Sequence, residues 1–326
     1  MPDNVLHLVF EVCSIAGSRT LIDDARVELA SAGVIEAVKK RRDAAIFDWL
    51  IGAVSLQGIS DAVALGYIEG HEAIRLTDIN RALKKNPGCP KLRGYHTFYG
   101  CAYRKWKGSC AEPEHMPACP LPRHDLRNGR LNRTAYSLAL FFRDVCLGDF
   151  VGWVDYQLRP GTLQQMVPAS LYSQPVIGPM GHIEGIGPKV LSMAMADFLL
   201  AADAERTAWI EAGARMIAVD SLVHNWMHRT GVLHRLKAEH PYGEACYRTG
   251  GCSEIIEWVS KGIDARQFNP GYPKDFPRFI QHALWRFCAQ DELNTCNGNR
   301  IKDTDRCKQR VCELYNRCGR RRLHPH

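Results

Sequence analysis

No two of the 13 cysteines in this chain stand as CxxC, the close pairing of ordinary zinc ribbons. No HExxH motif presents a metalloprotease-type helix either. No uninterrupted apolar run is long enough to span a bilayer, and Asp3 and Glu11 interrupt the apolar start, so a signal-peptide pattern is missing. Membrane-spanning and secreted classes are therefore set aside. The expectation is a soluble, cytoplasmic protein that works as a monomer with no membrane partner. In a reducing compartment, clustered cysteines are metal ligands more often than disulfides.

At 326 residues and 46% hydrophobic, the chain can bury a substantial core, in one large domain or two smaller ones. The net charge of +7 is uneven: 84–133 holds 11 Lys or Arg against 3 Asp or Glu, 296–326 holds 9 against 3, and the remainder is net negative. Positive charge thus gathers in the two cysteine-rich segments. That suits a polyanionic partner; solvated basic surface is the plainer alternative.

The stretch 179–231 organises the rest. Gly185-Ile186-Gly187-Pro188 is too rich in glycine and proline for a helix interior, while 189–200 is apolar at nearly every helical position. A tight turn therefore opens a buried helix. Its glycines let backbone approach a ligand closely, and the unpaired N–H groups at the helix start suit an anion such as a DNA phosphate. After a polar connector at 201–215, Met216-Ile217-Ala218-Val219 delivers Asp220 and Ser221 as cap residues of a helix at 222–230.

Glu184-Gly185-Ile186-Gly187-Pro188-Lys189 resembles the hairpin of the helix-hairpin-helix DNA glycosylases, and Ile217-Ala218-Val219-Asp220-Ser221 resembles the segment carrying their catalytic aspartate. The two come in the family's order. Upstream, Ile46-Phe47-Asp48-Trp49-Leu50-Ile51 followed by Ser55-Leu56-Gln57-Gly58-Ile59-Ser60-Asp61 is similar to the first barrel helix and DNA-probing loop of endonuclease III-like enzymes. With the cysteine-rich tail, the resemblance spans 42–318. It implies an all-α fold of the HhH-GPD type, a six-helix barrel beside a second helical subdomain made from both ends of the chain. On that plan 1–41 supplies N-terminal helices of the cluster subdomain, and 42–219 the barrel, with the hairpin near 177–195 and a cysteine-rich insert at 86–133. Residues 220–287 supply the C-terminal helices, and 288–326 a metal-cluster loop and basic tail.

The resemblance further implies an enzyme that flips a damaged or modified base out of double-stranded DNA and cleaves its N-glycosidic bond. Gln57 matches the residue that fills the gap in the duplex, where an amide replaces lost base hydrogen bonds; its plainer role is a turn glutamine. Gly185 and Gly187 would anchor phosphate. Asp220 would stabilise positive charge developing on the sugar and activate the nucleophile, its plainer role being a helix N-cap. Lys189 occupies the Schiff-base position of members with lyase activity, where an amine attacks C1′ and the strand breaks by β-elimination. Alternatives are a purely hydrolytic glycosylase with Lys189 idle, and a non-catalytic binder of distorted DNA.

Six prolines break 86–133, and Cys89, Cys101, Cys110 and Cys119 are separated there by 11, 8 and 8 residues. So long a loop needs a staple, which an iron–sulfur or zinc centre would supply; incidental thiols are the alternative, and the glycosylase family does not ordinarily carry cysteines here. Tyr95, Phe98, Tyr99, Tyr103 and Trp106 interleave with Arg104, Lys105 and Lys107, a mixture that stacks on bases and neutralises phosphates, or forms a mini-core. In the tail, Cys296, Cys307, Cys312 and Cys318 match the family's 4Fe-4S loop, although four residues separate Cys307 from Cys312 where the family has two. Cys288 is an alternative to Cys296, and zinc an alternative to iron–sulfur. His224 and His228, four apart on one helix, have no completing carboxylate and are read as surface or DNA-facing. Cys246 and Cys252 are read as structural thiols, and Arg320-Arg321-Arg322 as a disordered basic tail.

Overall fold

The structure, a computed structural model, describes residues 3–56, 74–85, 88–104, 107–121, 130–159 and 175–324. Every regular element among them is helical, and the only extended pairing is an isolated antiparallel bridge between Arg104 and Ser109. The all-α class therefore holds. Two compact units divide the chain: unit 1 takes Met1–Ala25, Gln165–Gln174 and Met195–His326, and unit 2 takes Arg26–Gln164 and Pro175–Ala194.

The chain opens with α1 (Asp3–Ala16), α2 (Leu21–Ser31), α3 (Val34–Lys39), α4 (Asp43–Leu56) and α5 (Leu76–Lys85). Gly33, at φ +72°, makes the sharp joint between α2 and α3 that a side chain would strain. Beyond the cysteine insert, with its single helical turn α6 (Tyr95–Phe98), come α7 (Arg130–Asp144) and α8 (Phe150–Gln157). Unit 2 is held by aromatic packing between α4, α7 and α8. The Phe47 ring meets Phe142 edge-on at 5.7 Å, Phe142 stacks on Phe150 at 4.5 Å, and Phe141 meets Trp153 at 5.0 Å. Two aspartates fix the start of α8: Asp149 accepts from the Gly152 N–H as its cap, and Asp43 from the Phe150 N–H.

Next come α9 (Ile177–Met180) and α10 (Pro188–Ala201), then α11 (Thr207–Ala214), α12 (Ser221–Arg229), α13 (Val232–Arg235), α14 (Cys252–Ser260) and α15 (Pro277–Cys288). In unit 1, α15 is the central element, packed by α1, α11, α12 and α14. Val5, Leu8, Val9 and Val12 of α1 are buried, as are Phe279, Ile280, Ala283, Leu284 and Phe287 of α15. Gly17 passes so near α15 that an added Cβ would meet the Phe279 ring at 2.6 Å.

Two expectations are corrected. The stretch 201–215 is not a polar connector but contains α11, which buries Trp209 against Phe198 at 5.2 Å. Its other buried positions are Ala212, Gly213 and Ala214, residues too small to stand out as an apolar stripe. The tail at 320–322 is docked, not disordered. Gly319 and Arg321 donate backbone N–H groups to the carbonyls of Thr230 and Arg229, and the Arg320 guanidinium lies 4.4 Å above the Tyr315 ring.

Candidate functional site

The glycine-rich turn joins α9 to α10 in unit 2. Ile183 and Ile186 point inward, Gly185 sits at φ +81°, and open space surrounds the position a Cβ would take on Gly187. Glu184 pins the turn. Its N–H donates to Ser137 Oγ, its carbonyl accepts from Thr134 Oγ1 at 2.7 Å, and its Oε1 accepts from the Gly100 N–H at 3.0 Å. Arg133 adds a charge partner at 3.7 Å. The turn is thus tied to α7 and to the cysteine insert while its glycine backbone stays open. Lys189 is part-exposed in the first turn of α10.

In the insert, Tyr95, Phe98 and Tyr103 are buried and form the mini-core, Tyr95 meeting Phe141 edge-on at 5.2 Å. Tyr99 is the exception, 66% exposed, with its ring 6.0 Å from His182 of the hairpin turn. Arg104 is exposed; Lys105 and Gln57 lie outside the described residues. Cys89, Cys101 and Cys119 are buried and Cys110 is half-buried. Burial pushes the Cys101 thiol up to about 11, and the nearby Cys110 and Cys119 add to the effect.

Asp220 lies in unit 1, as the N-cap of α12, and its Oδ1 accepts from the Val223 N–H at 2.9 Å. The preceding residues Met216 to Val219 are buried and outside any helix, and Tyr247 clamps the last of them: its hydroxyl accepts from the Val219 N–H and donates to the Val219 carbonyl. One turn into α12, His224 is only 5% exposed. This corrects the surface reading of His224. Its partners are not His228 but two cysteines: its Nδ1 lies 3.4 Å from both Cys246 Sγ and Cys252 Sγ, and His240 Nε2 lies 3.4 Å from Cys252 Sγ. These four donor atoms all lie within 4.8 Å of one another, a group that could hold a metal ion. The hydrogen bond between the two thiols lowers the Cys246 thiol and raises that of Cys252. The surface or DNA-facing reading extends to His240, further along the chain, which is instead half-buried beside Cys252. The available signal was the equal spacing of five residues on either side of Cys246, from His240 and to Cys252.

The tail cysteines meet elsewhere in unit 1. Cys296, Cys307, Cys312 and Cys318 line one small cavity of about 20 Å³, walled by Trp226, Phe287 and Leu314. Cys288 touches this set through a hydrogen bond to Cys296, which lowers the Cys296 thiol, while burial raises Cys288. Arg229 also lines the cavity and is 1% exposed. Its Nη2 donates to the Ile301 carbonyl and to Asp303, and its buried Nη1 has no protein acceptor. The Cys318 sulfur accepts from the Arg320 N–H at 3.3 Å.

No single described helix is long and apolar enough to cross a membrane. The chain matches no protein-family model, no curated protein and no solved structure.

Proposed function

We propose that the chain is a DNA glycosylase of the HhH-GPD fold, acting as a cytoplasmic monomer on double-stranded DNA and carrying abasic-site lyase activity. The observation that carries this reading is the pinned turn between α9 and α10. An open glycine backbone leads directly into the start of α10, whose positive dipole end suits an anion and whose first turn carries Lys189. Tyr99 beside that turn offers a face for stacking. Asp220 stands at an element boundary, directly after Val219, whose N–H and carbonyl Tyr247 holds, and in this reading its carboxylate stabilises charge at the sugar. Lys189 attacks C1′, the base leaves, and the imine so formed releases the 3′ phosphate by β-elimination.

The tail cavity holds an iron–sulfur cluster of the 4Fe-4S type. The residues fit such a group. Four thiols lining one cavity supply the ligand set, and the orphaned Nη1 of the buried Arg229 is a donor for a negatively charged cluster. Its part is scaffolding: it ties 296–318 to the end of α12, the helix that Asp220 caps.

The test is incubation with a panel of modified-base duplexes, with and without alkali. Scission without alkali supports the bifunctional enzyme, and scission only after alkali removes Lys189 from the chemistry. Absence of scission on every duplex, with binding retained, overturns the enzymatic reading. Asp220→Asn should abolish base release and Lys189→Gln should abolish borohydride trapping.

A further inference from the structure

Four donor atoms from four successive pieces of unit 1 converge on one point. His224 comes from α12, His240 from the loop after α13, Cys246 from the 3-10 turn Glu244–Tyr247, and Cys252 from the first position of α14. We propose that His224, His240, Cys246 and Cys252 bind one zinc ion in a closed tetrahedral site. The proposal stands whether or not the chain acts on DNA, and no part of it draws on the tail cysteines.

Distances select the ion. Zn–S bonds of about 2.3 Å and Zn–N bonds of about 2.05 Å at the tetrahedral angle place sulfur and nitrogen roughly 3.6 Å apart. The three measured sulfur–nitrogen separations are each 3.4 Å. A two-iron centre with the same residue types puts both imidazoles on one iron and both thiolates on the other, which separates nitrogen from sulfur. Here His224 Nδ1 touches both sulfurs at once. One ion fits, and its charge balances two thiolates in a site where three of the four ligands are buried. Both sulfurs bind as thiolates, so any thiol proton they still carry is released to solvent, and no oxidation or reduction is involved.

All four tetrahedral positions are filled by protein, so the ion is a staple and not a Lewis acid. What it staples is visible. Between α13 and α14 the backbone runs through Gly243 at φ +129° and Gly250 at φ +79°, with no regular element but the short 3-10 turn. Gly251 lies so close that an added Cβ would meet the Ala245 carbonyl at 2.4 Å. This loop has little apolar side chain to bury, and the ion supplies its closure. Tyr247, next to the ligand Cys246, is the residue that grips Val219, so the ion holds the backbone that ends in Asp220.

The test counts zinc and iron per chain in the full-length protein purified without added metal. His240→Asn and Cys252→Ser are each expected to lose one zinc per chain with iron unchanged. Cobalt exchanged into the wild type should show the intense visible bands of a tetrahedral thiolate site, absent in both variants. Should both variants fail to fold, chelation of the wild-type protein decides. Release of one zinc with two thiols newly open to alkylation supports the site. Zinc content unchanged in folded variants, no zinc released on chelation, or a Cys246–Cys252 disulfide in the purified protein overturns it.

Discussion

Arg229→Met tests the tail cavity most directly, because the guanidinium does two separable things. Its Nη2 makes bonds at 3.1 Å to the Ile301 carbonyl and 2.8 Å to Asp303, while Nη1 is buried with no protein acceptor and the residue lines the cavity. Methionine keeps most of the volume and removes the charge. Losing the two charge-assisted bonds should cost folding about 2–4 kcal/mol. The lower end is expected because the Asp303 side chain is 49% exposed and rehydrates. The third donor reports on the cavity's occupant. A hydrogen bond to a charged group contributes about 1.5–3 kcal/mol, so the variant should hold the proposed cluster roughly 10- to 150-fold less tightly. Urea unfolding measures the first effect, and titration with an iron chelator, followed by the fading cluster absorbance, measures the second. A variant that retains iron as well as the wild type would refute the assignment of Nη1 to a cluster, whatever its folding stability.

Asp220→Ala should destabilise the protein by about 1 kcal/mol through loss of the α12 cap, whereas Asp220→Asn keeps an acceptor for the Val223 N–H and melts near the wild type. Both should lose base release, and an active alanine variant would reduce Asp220 to its capping role. Gly213→Val places side-chain atoms where a Cβ alone would be 2.9 Å from Leu200 and 3.1 Å from the Ala196 carbonyl, at a cost of about 1–3 kcal/mol by thermal melting. Wild-type stability there would contradict the close packing of α11 on α10. His282 is pushed down to about 3, chiefly by burial and then by Arg278 and Arg286. Its folded-state pKa is depressed, so the neutral ring contributes stability that is full above the unfolded value of about 6.5 and is lost as pH falls toward 3. Between pH 6.5 and 5 that loss is about 1.5 kcal/mol, and His282→Gln should flatten the urea-midpoint profile over this window. An unchanged profile would show that His282 takes up its proton in the folded protein as readily as in the unfolded one.

Where the chain signals its own boundaries, sequence reading and structure agree closely. The expected helices at 44–56 and 189–200 appear as Asp43–Leu56 and Pro188–Ala201, since dense apolar positions and a leading aspartate or proline mark both. For α11 the buried face is one tryptophan among small residues, and its burial depends on neighbours that only folding supplies. The His–Cys site was hidden for a different reason. The rule that residues four apart share a helical face pairs His224 with His228, but His224 faces the interior, and its partners lie 15 or more residues away on a loop that doubles back. Tail spacing alone left the ligand set open. The cavity gathers Cys296, Cys307, Cys312 and Cys318 together, and Cys288 reaches it only through Cys296.

The pairing of α1 with α15 sets an order of events during synthesis. Residues 26–194 of unit 2 emerge as one nearly continuous run and need nothing later in the chain to complete their aromatic contacts. Valines of α1 wait until residue 288 has been translated before their mate exists. That delay leaves an apolar amphipath unsheltered while unit 2 is made, which makes α1 a natural point of engagement for chaperones and a region where aggregation would begin if elongation stalled.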